Sequence, residues 1–140
     1  MPWNRALLGD IEMNMTFHCK LIIDNDENYY DDVQCLTTHV MTRIYHAHNG
    51  RAFEDQNRVR ICILAEFIRN YVEEITDAEG EGRNNQMAQE LILGAIQEID
   101  FREIAKDLIG DYSPKSPAEV AEAEEYFMIM GFDNYDIDED

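Results

Sequence analysis

VRICILAEFIRNYVEEI, residues Val59 to Ile75, is the stretch around which the remaining chain must pack. Ile61, Leu64, Ile68, Tyr71 or Val72, and Ile75 recur at the spacing of one helix face, and Cys62, Ile63 and Phe67 widen that face beyond a stripe. A helix this apolar near its start needs other helices around it. Its polar residues, Glu66, Arg69, Asn70, Glu73 and Glu74, gather toward the far end, which is expected to emerge into water.

Upstream, Phe17, Leu21 and Ile22 recur at helical spacing with Thr16 as N-cap; Leu21 to Ile23 equally suit a strand, but the acidic break that follows favours a first helix. Asp24, Asn25 and Asp26 break it, and Asp26 caps a second helix whose first turn places Glu27 near the positive end of the helix dipole. That helix is expected over Glu27 to His46, with Tyr29, Val33, Leu36, Val40 and Ile44 on one side. His48 to Asn57, with its Asn-Gly, reads as a loop. Trp3, Leu7 and Leu8 suggest a loosely docked turn within residues 1–15.

Downstream, Asp77 to Asn85 is an acidic, glycine-broken linker. Met87, Leu91, Ile92, Ala95, Ile96 and Ile99 then mark an amphipathic helix, in which Gly94 signals either a close helix contact or a weak point. Asp100 with Glu103 opens a short helix carrying Phe101, Ile104, Ala105, Leu108 and Ile109 and ending at Gly110. Ser116, Pro117 and Glu119 form a stronger start signal, a capping box with proline at the first helical position. The last helix is expected to bury Val120, Ala123, Phe127 and Met130 and to turn Glu119, Glu122 and Glu125 outward. The resulting expectation is an all-α single domain of five or six helices over residues 1–131, followed by an acidic tail over 132–140.

At 140 residues the chain is one domain in size, able to bury roughly two-thirds of its unfolded surface without a covalent staple. Thirty acidic residues against eleven basic ones give a formal charge of -19. Such a field repels nucleic acid and anionic membranes and attracts basic protein surfaces. Three cysteines, Cys19, Cys35 and Cys62, lie in apolar patterns without CxxC spacing and read as reduced core thiols of a cytosolic protein. The first residues match no signal peptide, and no window has the roughly 18 apolar residues of a membrane span.

Candidate chemistry is sparse. Cys35 and His39 lie four apart on a helix and His46 and His48 are close in sequence, but a metal needs three or four converging ligands. The DNDENYYDD run over Asp24 to Asp32 lacks the glycine and terminal glutamate of an EF-hand loop. No serine or cysteine has a nucleophile's context and no glycine-rich loop is suited to phosphates. The expectation is a non-enzyme without catalytic residues, metal or cofactor.

Acid distribution is the remaining signal. From Asp111 onward the chain carries Glu119, Glu122, Glu124, Glu125, Asp133, Asp136, Asp138, Glu139 and Asp140 against the single base Lys115. The four glutamates of the last helix span about 9 Å at the helical rise. Their linear density lies between the ~1.7 Å charge spacing of duplex phosphates and the ~3.4 Å of one strand. Asp31, Asp32, Glu73 and Glu74 extend this row wherever the fold brings them to the same side. A run of glutamates is also the ordinary composition of a solvated face.

The segments TFHCKLIIDNDENYY (Thr16 to Tyr30) and EIDFREIAKDLIGD (Glu98 to Asp111) together resemble a group of small acidic bacteriophage proteins of unknown function. Members carry a Thr-Trp before an apolar helix and an Asn-Asp-Glu turn, then an Asp-Trp-x-Glu-Ile-Ala segment. Thr16, Asn25, Asp26, Glu27 and Tyr30 match the first pattern, and Asp100, Glu103, Ile104 and Ala105 the second. Phe17 and Phe101 replace the tryptophans, and Asn28 stands in place of glycine. The resemblance covers about a third of the chain and rests on capping and core positions, so it implies a shared fold more than a shared site.

It further implies a phage origin and action in the cytoplasm of an infected bacterium, as an anti-CRISPR or anti-restriction protein. Combined with the charge, the expectation is a nucleic-acid mimic that binds the basic channel of a host defence complex. Its binding residues would be Glu119, Glu122, Glu124, Glu125, Asp133, Asp136, Asp31, Asp32, Glu73 and Glu74. The alternative is an interaction module using an apolar helix face at Tyr126, Met128 and Ile129.

Overall fold

The structure is a computed structural model that describes residues 15–78 and 86–131. The expected N-terminal turn, most of the linker and the acidic tail with Asp133 and Asp136 lie outside the described residues. Six helices are present among those described: α1 (Met15–Asn25), α2 (Glu27–Met41), α3 (Gln56–Ala78), α4 (Gln86–Gln97), α5 (Phe101–Gly110) and α6 (Pro117–Met130). The fold is all-α, and no described helix is long and apolar enough to cross a membrane.

The core forms where the Val59–Ile75 stretch requires it. Ile63, Leu64, Phe67, Ile68 and Tyr71 of α3 are buried and pack with Val33, Leu36 and Val40 of α2 and with Phe101, Ile104, Ala105 and Ile109 of α5. Each such aliphatic or aromatic side chain contributes roughly 1.5–3 kcal/mol on burial. α5 lies along α3, and α6 lies along α2. α3 packs against α2, α4 and α5, which accounts for its broad apolar face, and α2 meets α1, α3, α5 and α6.

Capping sets the starts of three helices. Asp26 accepts from the Asn28 and Tyr29 amides at 2.9 and 3.0 Å, and Asp100 from the Glu103 amide at 3.1 Å. At α6 the reciprocal box is complete, Ser116 Oγ accepting from Glu119 N at 3.2 Å and Glu119 Oε1 from Ser116 N at 3.0 Å. Gly131 ends α6 with a positive φ of 81°, a conformation that costs glycine least.

Four local expectations require correction, the first being Met130, expected to be buried but exposed at the end of α6. In α1 the buried face is Thr16, Cys19 and Ile23, while Phe17, Leu21 and Ile22 are exposed. The helix is turned by partners distant in sequence: Thr16 is no cap but lies inside the helix, its Oγ1 accepting from Asp100 N at 2.7 Å, and Lys20 pairs with Asp107. The two segments that carry the phage-protein resemblance thus meet at the α1–α5 contact. α2 ends at Met41, not near His46, because Thr42 Oγ1 caps the Thr38 and His39 carbonyls and Arg60 takes the Arg43 carbonyl at 2.6 Å. Ile44 is consequently exposed in the loop that follows. That loop is held by Gln56, whose amide bonds Tyr45 N, Tyr45 O and Phe53 O at 2.8 Å each. At Gly94 an added Cβ would meet nothing within 4 Å, so no helix packs closely there.

Candidate acidic face

The seam between α2 and α6 brings acids from separate parts of the chain together. Its centre is Glu124, 31% exposed, whose two oxygens accept from Arg43 Nη1 and Nη2 at 2.9 Å each. Glu124 Oε2 also lies 2.8 Å from His39 Nδ1. An ionised carboxylate can only accept, so Nδ1 carries the proton and donates. Burial alone would raise the Glu124 carboxyl, but Arg43 and His39 together hold it below the usual value. His39 is pushed the other way, first by burial and then by the Arg43 charge, so it stays neutral more readily than a free imidazole. Its ring stacks on Phe127 at 3.5 Å between centroids and 7° between planes, and Phe67 meets Phe127 edge-on at 5.0 Å.

One turn and more along the same seam stand Asp31, Asp32 and Cys35 of α2, facing α6. Burial raises the Cys35 thiol, and the negative charges of Asp32, Asp31 and Glu122 raise it further. A single sulfur therefore senses carboxylates from both helices. Asp32 accepts from Tyr71 Oη at 2.6 Å, which ties this corner to α3. Tyr126 points inward beside Asp32 and Cys35; its buried hydroxyl has no hydrogen-bond partner.

The expected binding residues divide accordingly. Glu119, Glu122 and Glu125 are exposed and repeat every third residue on α6, about 4.5 Å apart in rise. Glu119 is anchored in its cap and its carboxyl is lowered by the Ser116 backbone hydrogen bond, so it remains ionised. Asp31 is exposed and Asp32 half-buried on the adjoining α2. Glu124 lies inside the seam as a neutralised partner, which thins the outward row from the spacing read in sequence to one coarser than that of a single strand. Glu73 pairs with Arg69 at 3.2 Å on its own helix, and Glu74 is exposed; neither joins the interactions between α2 and α6.

Nothing local in the sequence signals the Arg43–Glu124–His39 cluster or the Tyr71–Asp32 bond, since their partners are 39 to 85 residues apart. Cys35 and His39, weighed as a metal pair, point to different partners. Among the described residues no group of three or more His, Cys, Asp or Glu is placed to hold a metal ion. A cleft of mixed charge lies between α3 and α5, lined by Arg58, Arg102 and Lys106 together with Asp100, Glu103 and Cys62, and Arg102 Nη2 approaches the Cys62 sulfur at 2.7 Å. No family model matches the chain, and neither a curated protein nor a solved structure matches it.

Proposed function

We propose that the chain is a phage-encoded inhibitor of a host nucleic-acid-targeting defence complex, of the CRISPR or restriction kind, acting as an acidic mimic on a basic channel. The observation that carries this reading is the outward row of Glu119, Glu122 and Glu125 on α6, a helix packed along α2, which carries Asp31 and Asp32. Carboxylates fixed on two packed helices keep their spacing when a partner binds, unlike acids on a free chain, whose ordering costs entropy at that moment. The net charge of -19 steers the encounter with a cationic groove and discourages contact with nucleic acid itself. In this role the chain acts in the bacterial cytoplasm, by binding and without catalysis.

The test is capture of the partner from a bacterial host, followed by affinity measurements with Glu122→Lys and Glu125→Lys. Loss of binding in the double variant, at unchanged helical content, is the expected result. Unchanged affinity would remove α6 from the interface.

A second reading rests on Met128 and Ile129, 66% and 73% exposed at the end of α6. They suit a non-mimic interaction module that grips its partner through an apolar patch. Binding that ignores salt and is abolished by Ile129→Asp would favour it.

A further inference from the structure

Between α1, α3 and α4 lies an apolar groove of about 250 Å³, lined by Met15, Ile22, Tyr71, Ile75, Ile92 and Ile96 among others. Among the described residues it is open at Ile22, a lining residue that is 52% exposed, and α4 further exposes Met87 and Leu91 outside the lining, at 73% and 68%. Water against so much apolar surface is unfavourable, at roughly 25 cal/mol per Å². A contiguous patch of this kind usually has an occupant.

The course of the chain identifies one. Met15, the first residue of α1, is itself part of the lining, so the preceding residues reach the body of the protein at the groove. They read MPWNRALLGDIEMN and supply Trp3, Leu7, Leu8, Ile11 and Met13. The other two stretches beyond the described residues suit it poorly. Residues 79–85, EGEGRNN, have no large apolar side chain. Residues 132–140 follow α6, which packs on α2, and would bring Asp133, Asp136, Asp138, Glu139 and Asp140 against hydrocarbon. A second copy would have to overcome the mutual repulsion of two strongly negative molecules, whereas a tethered segment is present at an effective concentration in the millimolar range.

We propose that residues 1–14 seat in the groove between α1, α3 and α4, with Trp3 as the anchor. This surface is separate from the acidic seam, and the proposal stands or falls independently of the mimic reading.

Trp3 is the only tryptophan in the chain, so fluorescence reports on it alone. In the full chain its emission should lie to the blue of free tryptophan and be quenched several-fold less by acrylamide, a neutral quencher that the protein's charge does not repel. Ala95→Glu, which places a carboxylate in the groove lining, should shift the emission to the red and restore quenching while circular dichroism keeps its helical signal. NMR should show nuclear Overhauser contacts between the Trp3 ring and the methyls of Ile75 or Ile92, and these decide alone should Ala95→Glu unfold. Emission and quenching like those of free tryptophan in the wild-type chain would overturn the proposal. So would a shielded Trp3 without those methyl contacts, or shielding that disappears on dilution together with a dimer-sized elution, which would assign the groove to a second copy.

Discussion

The α2–α6 seam and the α1–α3–α4 groove both join apolar helix faces, yet one is closed and the other open. In the seam, an imidazole stacked on Phe127 is clamped by a carboxylate that Arg43 holds with two hydrogen bonds. α6 is also fixed at both ends, by its capping box and by Gly131. α4 rests mainly on α3, and it leaves Met87, Leu91 and Leu93 facing out. An apolar stripe recruits a helix to the core, but polar partners supplied by other elements fix its rotation. Where those partners are present, the surface beyond them is fixed too, and this makes the outward acids of α6 a rigid array.

The largest effect that would break this contrast is on stability. Phe127→Ala should cost about 3–5 kcal/mol, as expected for a buried aromatic side chain, and Ile92→Ala clearly less because its site is half open to water. Urea denaturation of the two variants makes the comparison, and equal losses would show the groove to be as tightly packed as the seam.

Next is the ion pair. Glu124→Ala should destabilise by about 1–2 kcal/mol, the lower part of the range for charged hydrogen bonds, since the carboxylate is partly solvated. Glu122→Ala, from an exposed position on the same helix, should leave stability within about 0.5 kcal/mol of wild type. A reversal of that order would place Glu122, not Glu124, in the seam.

A smaller effect follows pH. His39 in the folded protein resists protonation below its ordinary value of 6.5 because it is buried and faces Arg43, although Glu124 opposes this in part. The unfolded chain therefore binds more protons than the folded one as pH falls from that value toward the depressed folded pKa. Stability present above pH 6.5 is lost across this window. Relief of the general repulsion among the acids acts in the opposite direction, so the measure is the difference in melting temperature between wild type and His39→Gln at pH 7.5 and 5.5. The wild type should lose more on acidification; a parallel response would show His39 to be free of the seam's field.

The smallest effect reads the acidic face directly. Glu122→Gln should lower the Cys35 thiol toward its ordinary value and speed its alkylation by iodoacetamide a few-fold at fixed pH, with little change at Cys62. No change at Cys35 would separate Glu122 from Asp31 and Asp32.

Much of the fold was legible in local signals. Asp26, Asp100 and Ser116 are caps with short-range partners, and the width of the Val59–Ile75 face announced a central helix. The rotation of α1 was not legible, because Phe17, Leu21 and Ile22 are as apolar as a buried face and Thr16 is turned inward by a backbone amide 84 residues away. The end of α2 was hidden for the same reason, since the Arg43 carbonyl is taken by Arg60. At the candidate site, the outward direction of Glu119, Glu122 and Glu125 followed from helical period. The inward turn of Glu124 did not: it depends on Arg43 and His39, which no spacing connects to it.

The most direct test of the acidic-face account is the affinity of the captured host partner measured across salt concentrations and against competing DNA or RNA. The account predicts that affinity falls steeply as salt rises, that nucleic acid displaces the chain, and that Asp31→Lys combined with Glu122→Lys flattens the salt dependence. An affinity unmoved by salt, indifferent to nucleic acid and retained by the lysine variant would contradict it.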